Sequence, residues 1–181
     1  MPVMNLLKLD AWDPQAGSLN VIIETSKGSR NKLDYNPKVN LFELKKVLPQ
    51  GMVFPFNFGF IPSTVGDDGD PLDVLVLLDQ PVPTGCKLAA RLVGVIEAEQ
   101  TQDGQTLRND RLIAVAEECA EHQDIRTLKS LHDNLVEQIE HFFVSYNEMA
   151  GKQFRVIARR GPKSAAKLVK QSVKRFHKQA K

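Results

Sequence analysis

Short apolar runs and period-two alternation fill the first two thirds of the chain, and three-or-four spacing takes over only in the last third. Leu19–Thr25 (LNVIIET) reads as a strand, Ser26–Asn31 as a turn, and Lys32–Tyr35 resumes extended structure before Asn36-Pro37. Val39–Val47 predicts the next strand, closed by Pro49-Gln50-Gly51. In Phe54–Ile61 (FPFNFGFI) every second residue from Phe54 to Phe60 is phenylalanine, which predicts one aromatic face, a core face or a stacking platform. Val74–Leu78 and Leu88–Glu99 predict two further strands, Gln100–Asn109 a polar loop, and Arg111–Ala116 another strand. Helical spacing first holds across Leu131, Leu135, Ile139, Phe142, Tyr146 and Met149, ending before Gly151. Phe154–Ala158 is a last strand. After Gly161-Pro162 a basic amphipathic helix is expected at about 163–178, with Ala166, Val169, Val173 and Phe176 inward. Strands first and helices late predict a mainly β fold: a small barrel flanked by two helices of the C-terminal half.

Composition narrows this little. A chain of 181 residues with 42% apolar and 25% charged side chains can bury one core, so residues 1–181 are expected to form a single domain. No apolar run approaches the roughly 20 residues of a membrane span, and no secretory signal opens the chain. Cys86 and Cys119 lack metal-type spacing and fit a reducing cytoplasm. Charge is divided: residues 152–181 hold eleven Lys/Arg and no Asp/Glu, leaving −9 on the first 151. A basic tail suits nucleic acid or anionic lipid, but the commoner explanation is a solvated helix face.

The acidic half concentrates its charge in Gly66–Leu78, GDDGDPLDVLVLL. Asp67, Asp68, Asp70 and Asp73 fall within seven residues, beside an apolar strand. Two carboxylates about 5 Å apart repel by roughly 3 kcal/mol at an effective dielectric near 20, which favours a cation among them. Asp68 and Asp70 are two apart and share a side in extended chain, and the turn at Pro71 lets Asp73 rejoin them. An all-oxygen set suits Mg2+ or Mn2+ and offers zinc no soft ligand. The alternative is a solvated Asp-Gly-Asp-Pro turn capping a strand. An EF-hand is excluded, because no register supplies both its central glycine and its distal glutamate.

Glu24 with Lys27–Tyr35 (KGSRNKLDY), Asn57-Phe58-Gly59 in the phenylalanine run, and Asp68–Val76 (DGDPLDVLV) follow one another in an order that resembles the soluble type-I inorganic pyrophosphatases. His141-Phe142-Phe143 with Tyr146, and Arg111–Val115, resemble later motifs of that family. The resemblance implies a five-stranded OB-type barrel, a Mg2+-dependent hydrolase splitting diphosphate into two phosphates, and assembly into a homo-oligomer, commonly a hexamer. Carried over residue by residue, it implies Asp68 and Asp73 as metal ligands, with Asp70 orienting or deprotonating the attacking water. Glu24 and Asp34 act through metal-bound waters, and Lys32 and Tyr146 hold phosphate oxygens.

Departures from the family pattern gather at the same site. Phe54 and Phe58 stand where tyrosines are usual, Lys45 stands for an arginine, and Arg111 for a lysine. Asn147 stands for a lysine beside Tyr146. Of two metal-binding aspartates expected before the basic residue, the nearer position is Asn109. Asp110 faces the other side of a regular strand unless a bulge turns it. The farther position falls to Asp103 or is lost in an insertion within Gln100–Arg108. These changes leave two alternatives to an active diphosphatase: a divergent homologue that binds phosphate or diphosphate ligands with weak or no turnover, and an OB-type nucleic-acid binder, against which the acidic cluster argues.

Overall fold

Runs that are apolar at every position end up buried on both faces, and they build the centre of the molecule. The computed structural model describes residues 5–179. Its strands are β1 Leu19–Thr25, β2 Asn31–Asn36, β3 Leu41–Val47, β4 Asn57–Phe60, β5 Asp73–Leu77, β6 Lys87–Gln102, β7 Gln105–Arg108, β8 Arg111–Ala116 and β9 Gln153–Arg160. The helices are α1 Asp133–Glu148 and α2 Pro162–Gln179. β1, β4, β5, β8 and β6 pair in that order, and β6 pairs back onto β1, closing a ring of five strands. β5 and β8 run parallel; the other pairs in the ring are antiparallel. Every residue of β1 and β8 is buried. Gly59 is needed where β4 crosses β1, because a Cβ there would collide with the Ile22 carbonyl.

The far end of β6 leaves the ring and carries β7 on one edge and β9 on the other. Gln100–Asn109 is therefore not a loop. It is mostly a hairpin, turning at Asp103-Gly104 with both residues at positive φ (51° and 75°). Its strands are polar on both faces because both are solvated, so they lack the alternation that marks a half-buried strand.

Three amphipathic readings shift as well. Only Asn57–Phe60 of the phenylalanine run is strand, and the four rings divide: Phe54, Phe56 and Phe58 join the main core, while Phe60 packs with Ile22 and Tyr35. On α2 the buried line is Ala165, Val169 and Ser172, with Val173 half-buried; Phe176 lies beyond the main core, its ring edge-on to His177. On α1 the buried line is Val136, Ile139, Phe143 and Asn147, while Met149 is 52% exposed.

Candidate active site

One end of the ring opens into a cavity of about 840 Å3 walled by β1, β4, β8, the β2–β3 hairpin, the loop before β5, and α1. Near its end β1 brings in Glu24, whose Oε1 accepts the Tyr35 N–H at 2.8 Å. Burial pushes its carboxyl up to about 7; Lys32 and the Tyr35 amide oppose this, and Asp73 and Asp70 add to it. From the loop come Asp68, Asp70 and, as the first residue of β5, Asp73. Burial raises Asp68, and the charges of Asp73 and Asp70 add to the rise against the Asp70 amide and Arg111. The loop is internally tied: the Gly66 N–H meets the Asp70 carbonyl at 2.7 Å, and the Asp70 N–H meets Asp68 Oδ1 at 3.1 Å.

Cations face these acids. Lys32 pairs with Asp34 on β2. Arg111 opens β8, is 4% exposed, and reaches Asp73 Oδ2 at 2.6 Å through Nη1, which also donates to Asn109 Oδ1. Its guanidinium carbon lies 5.1 Å from the centre of the Phe143 ring and 5.5 Å from that of Phe154. Tyr146 is held as a neutral hydroxyl, its pKa pushed up to about 12 chiefly by burial, with Arg111 opposing and the acids adding. Phe58 is apolar wall, beneath Lys32 Nζ and 5.3 Å from Phe54. Asn147 touches the cavity, but its amide donates to the Phe143 carbonyl at 2.8 Å. Lys45 lines the mouth.

Two cavity lysines lie outside the sequence reading. Lys45 is the extra residue of a bulge in β3, which breaks alternation and brings Lys46 to the cavity too. Lys46 Nζ sits 3.9 Å from the centre of the Tyr146 ring, and its pKa is lowered by burial and by Lys152 and Lys32. Lys152, the second, follows the α1 turn at Gly151.

Of the two neighbours before Arg111, Asn109 faces the cavity, with Nδ2 donating to Gln100 at 3.0 Å. Asp110 turns away, accepting the Ala98 N–H at 2.9 Å and pairing with Arg108. Asp103 sits at the hairpin turn. It lines a separate hollow of about 310 Å3, shared with Asp68 and Asn109, and does not reach the main cavity. Among the described residues, no three Asp, Glu, His or Cys side chains lie close enough to hold a metal ion as they stand.

The chain as a whole is similar to known proteins. Residues 21–177 match the family model for inorganic pyrophosphatase. The inorganic pyrophosphatase of Synechocystis is 32% identical over 173 residues, covering 96% of this chain and 99% of the relative. That of Neisseria meningitidis serogroup A is 35% identical over 174 residues, covering 95% and 96%. The crystal structure of the Thermus thermophilus inorganic pyrophosphatase superposes with a TM-score of 0.87 at 31% identity, covering 96% of this chain and 99% of that one. The chain belongs to the inorganic pyrophosphatase family.

Proposed function

We propose that the chain hydrolyses inorganic diphosphate to two phosphates, and that Mg2+ held by Asp68, Asp70 and Asp73 is required. The observation that carries this is charge balance. Five carboxylates (Glu24, Asp34, Asp68, Asp70, Asp73) and five cations (Lys32, Lys45, Lys46, Arg111, Lys152) line one cavity. Such a lining accepts divalent cations and a polyanion together without net charge, which neither acids nor bases alone would do. The donors fit a hard cation. They are carboxylate oxygens, and a bound cation would lower the Glu24 and Asp68 carboxyls that burial chiefly raises, with the neighbouring aspartates adding.

Bound there, the cation supplies the positive charge that acidifies a nucleophilic water and offsets the phosphate oxygens. Asp70 would take a proton from the attacking water, whose oxygen bonds to one phosphorus. The bridging oxygen leaves with the other phosphate. Lys32, Lys45 and Arg111 draw charge from the phosphate oxygens, and the neutral Tyr146 hydroxyl donates to one of them. Glu24 and Asp34 orient water around the cation, and Asn109 contributes a carbonyl oxygen without charge.

A nucleic-acid platform finds no support, since Phe54, Phe56, Phe58 and Phe60 are at most 8% exposed. Assembly into a homo-oligomer, a hexamer by resemblance, is supported by Leu41, Leu44 and Val47, each more than half exposed on β3. The test is phosphate release from diphosphate across a Mg2+ titration, beside Asp70→Asn. Release that requires Mg2+ and disappears in the variant is expected. Equal release from both chains would remove Asp70 from the chemistry.

A further inference from the structure

The loop that carries Asp68 and Asp70 is held from outside at two points, both on α2. Its base is closed by the Ile61 N–H to the Leu72 carbonyl at 3.0 Å and by Thr64 Oγ1, which takes the Leu72 N–H at 3.0 Å. Beyond that base, among the described residues, every hydrogen bond from residues 64–71 to another segment goes to α2. Ser172, fully buried, uses its hydroxyl twice on one residue: it accepts the Val65 N–H at 2.7 Å and donates to the Val65 carbonyl at 2.6 Å. One turn on, Arg175 pairs with Asp67. Apart from these two holds, loop and helix diverge around a cavity of about 680 Å3 lined by Asp67, Asp68, Lys167, Gln171 and Lys174. The base of the loop is buried at Thr64, Val65 and Leu72, while its outer part borders this cavity and is tied to α2 by these hydrogen bonds. α2 itself is anchored on β6.

We propose that Ser172, assisted by Arg175, is a positioning residue for the cation site: α2 clamps the loop at Val65 and Asp67, and so sets where Asp68 and Asp70 present their carboxylates. This rests on the reading of Asp68 and Asp70 as Mg2+ ligands. A helical serine whose hydroxyl is spent on a loop 107 residues away, and not on its own helix, has this task in place of helix stabilisation. Partners that orient metal ligands from behind change affinity by about 10–100-fold when removed.

The experiment measures Mg2+ binding directly by calorimetry on the full chain, and separately the Mg2+ midpoint and kcat of phosphate release. Ser172→Ala is expected to weaken Mg2+ binding about 10-fold and to raise the activity midpoint equally, with kcat recovering at saturating Mg2+, because bound cation re-forms the loop. Arg175→Gln should shift both readouts in the same direction. Asp67→Lys combined with Arg175→Asp should bring them back toward the parent. Lys170→Ala, on the exposed face of α2, should match the parent throughout. A merely structural role would lower kcat at every Mg2+ concentration and leave the midpoint and the calorimetric affinity unchanged; that result overturns the clamp. Should Ser172→Ala fail to fold, Arg175→Gln decides, and an unshifted affinity there overturns the proposal. A parent chain that binds no Mg2+ would sink the metal reading itself, whereas a parent that binds while the variants bind equally well would sink only the clamp.

Discussion

Replacing Glu24 with glutamine should make the metal-free protein more stable at neutral pH and less active. Glu24 is 7% exposed, and its carboxyl is pushed from 4.5 up to about 7. Because the folded-state value is the higher one, the folded chain binds an extra proton between about pH 4.5 and 7. Its contribution to stability is therefore fully present below pH 4.5 and is lost as pH rises through 7. At about 1.36 kcal/mol per pKa unit, keeping this group ionised at pH 8 costs on the order of 3 kcal/mol. Glutamine keeps Oε1 for the Tyr35 N–H and never ionises. Urea denaturation in EDTA should show Glu24→Gln and parent nearly equal at pH 4. The variant should gain as pH rises, reaching about 2–3 kcal/mol at pH 8, a shift of roughly 4–12 °C in Tm for a chain of this size. Millimolar Mg2+ should shrink the gap, because the parent's carboxylate then has a cation to face. A stability difference that does not change with pH would refute the reasoning, since it would mean Glu24 is solvated or already paired when ionised.

Asp70→Asn should abolish diphosphate hydrolysis while leaving the far-ultraviolet CD spectrum unchanged; parental turnover would exclude Asp70 as the base. Saturating Mg2+ should raise the parent's Tm, by the equivalent of about 2.7 kcal/mol at a hundredfold excess over Kd. Asp73→Ala should erase most of that gain, and differential scanning calorimetry reads both. Asn109→Asp should lower the Mg2+ concentration for half-maximal activity, whereas Asp110→Asn should leave it unmoved, since Asp110 is spent on the Ala98 amide and Arg108. Phe143→Ala should cost about 3–5 kcal/mol in urea denaturation, because the ring is 1% exposed and underlies Arg111.

How far the sequence speaks for itself depends on burial. β1 and β8 match their expected limits residue for residue, because each is built on an unbroken apolar run, Val21–Ile23 and Leu112–Ala116, of the kind that strands buried on both faces show. The hairpin of β6 and β7 escaped because its residues contact water on both faces, although Asp103-Gly104 carried a turn signal. Alternation over-extended the phenylalanine run. The structure departs from strand at Pro55, and Asn57 is a buried tie whose Oδ1 receives the Lys27 and Val82 amides at 3.1 and 3.2 Å. Within the site, the carboxylates of the acidic stretch and the charged residues at strand ends were legible from motif and spacing. Parity set Asn109 and Asp110 on opposite faces but left open a bulge that would bring Asp110 in; in the structure Asn109 lines the cavity and Asp110 turns away. Lys46 was not legible, because period-two reasoning assigns adjacent lysines to opposite faces and only the bulge at Lys45 brings both to the cavity. Lys152 was not legible for a different reason: it lies past the end of α1, where no periodicity extends.

The departures that the resemblance implies offset one another only in part on the cavity wall. Asn109 lacks a negative charge and Asn147, whose amide is spent on the Phe143 carbonyl, lacks a positive one, while Asp103 lies outside the main cavity, so neither aspartate expected before Arg111 is in it. The forked guanidinium lost at Lys45 returns at Arg111. There it reaches Asp73 and Asn109 and lies against two phenylalanine rings, a position that suits a planar cation better than an ammonium. Where hydroxyls are absent at Phe54 and Phe58, the two rings pack on each other and on Phe142 and Phe143. Lys46 and Lys152 hold positive charge beside Tyr146, the stretch of wall where Asn147 withholds it. Chance erosion of an unused site would remove charges without regard to sign. Here five carboxylates and five cations still line one cavity, which is the lining expected where it has to admit cations and a polyanion at once.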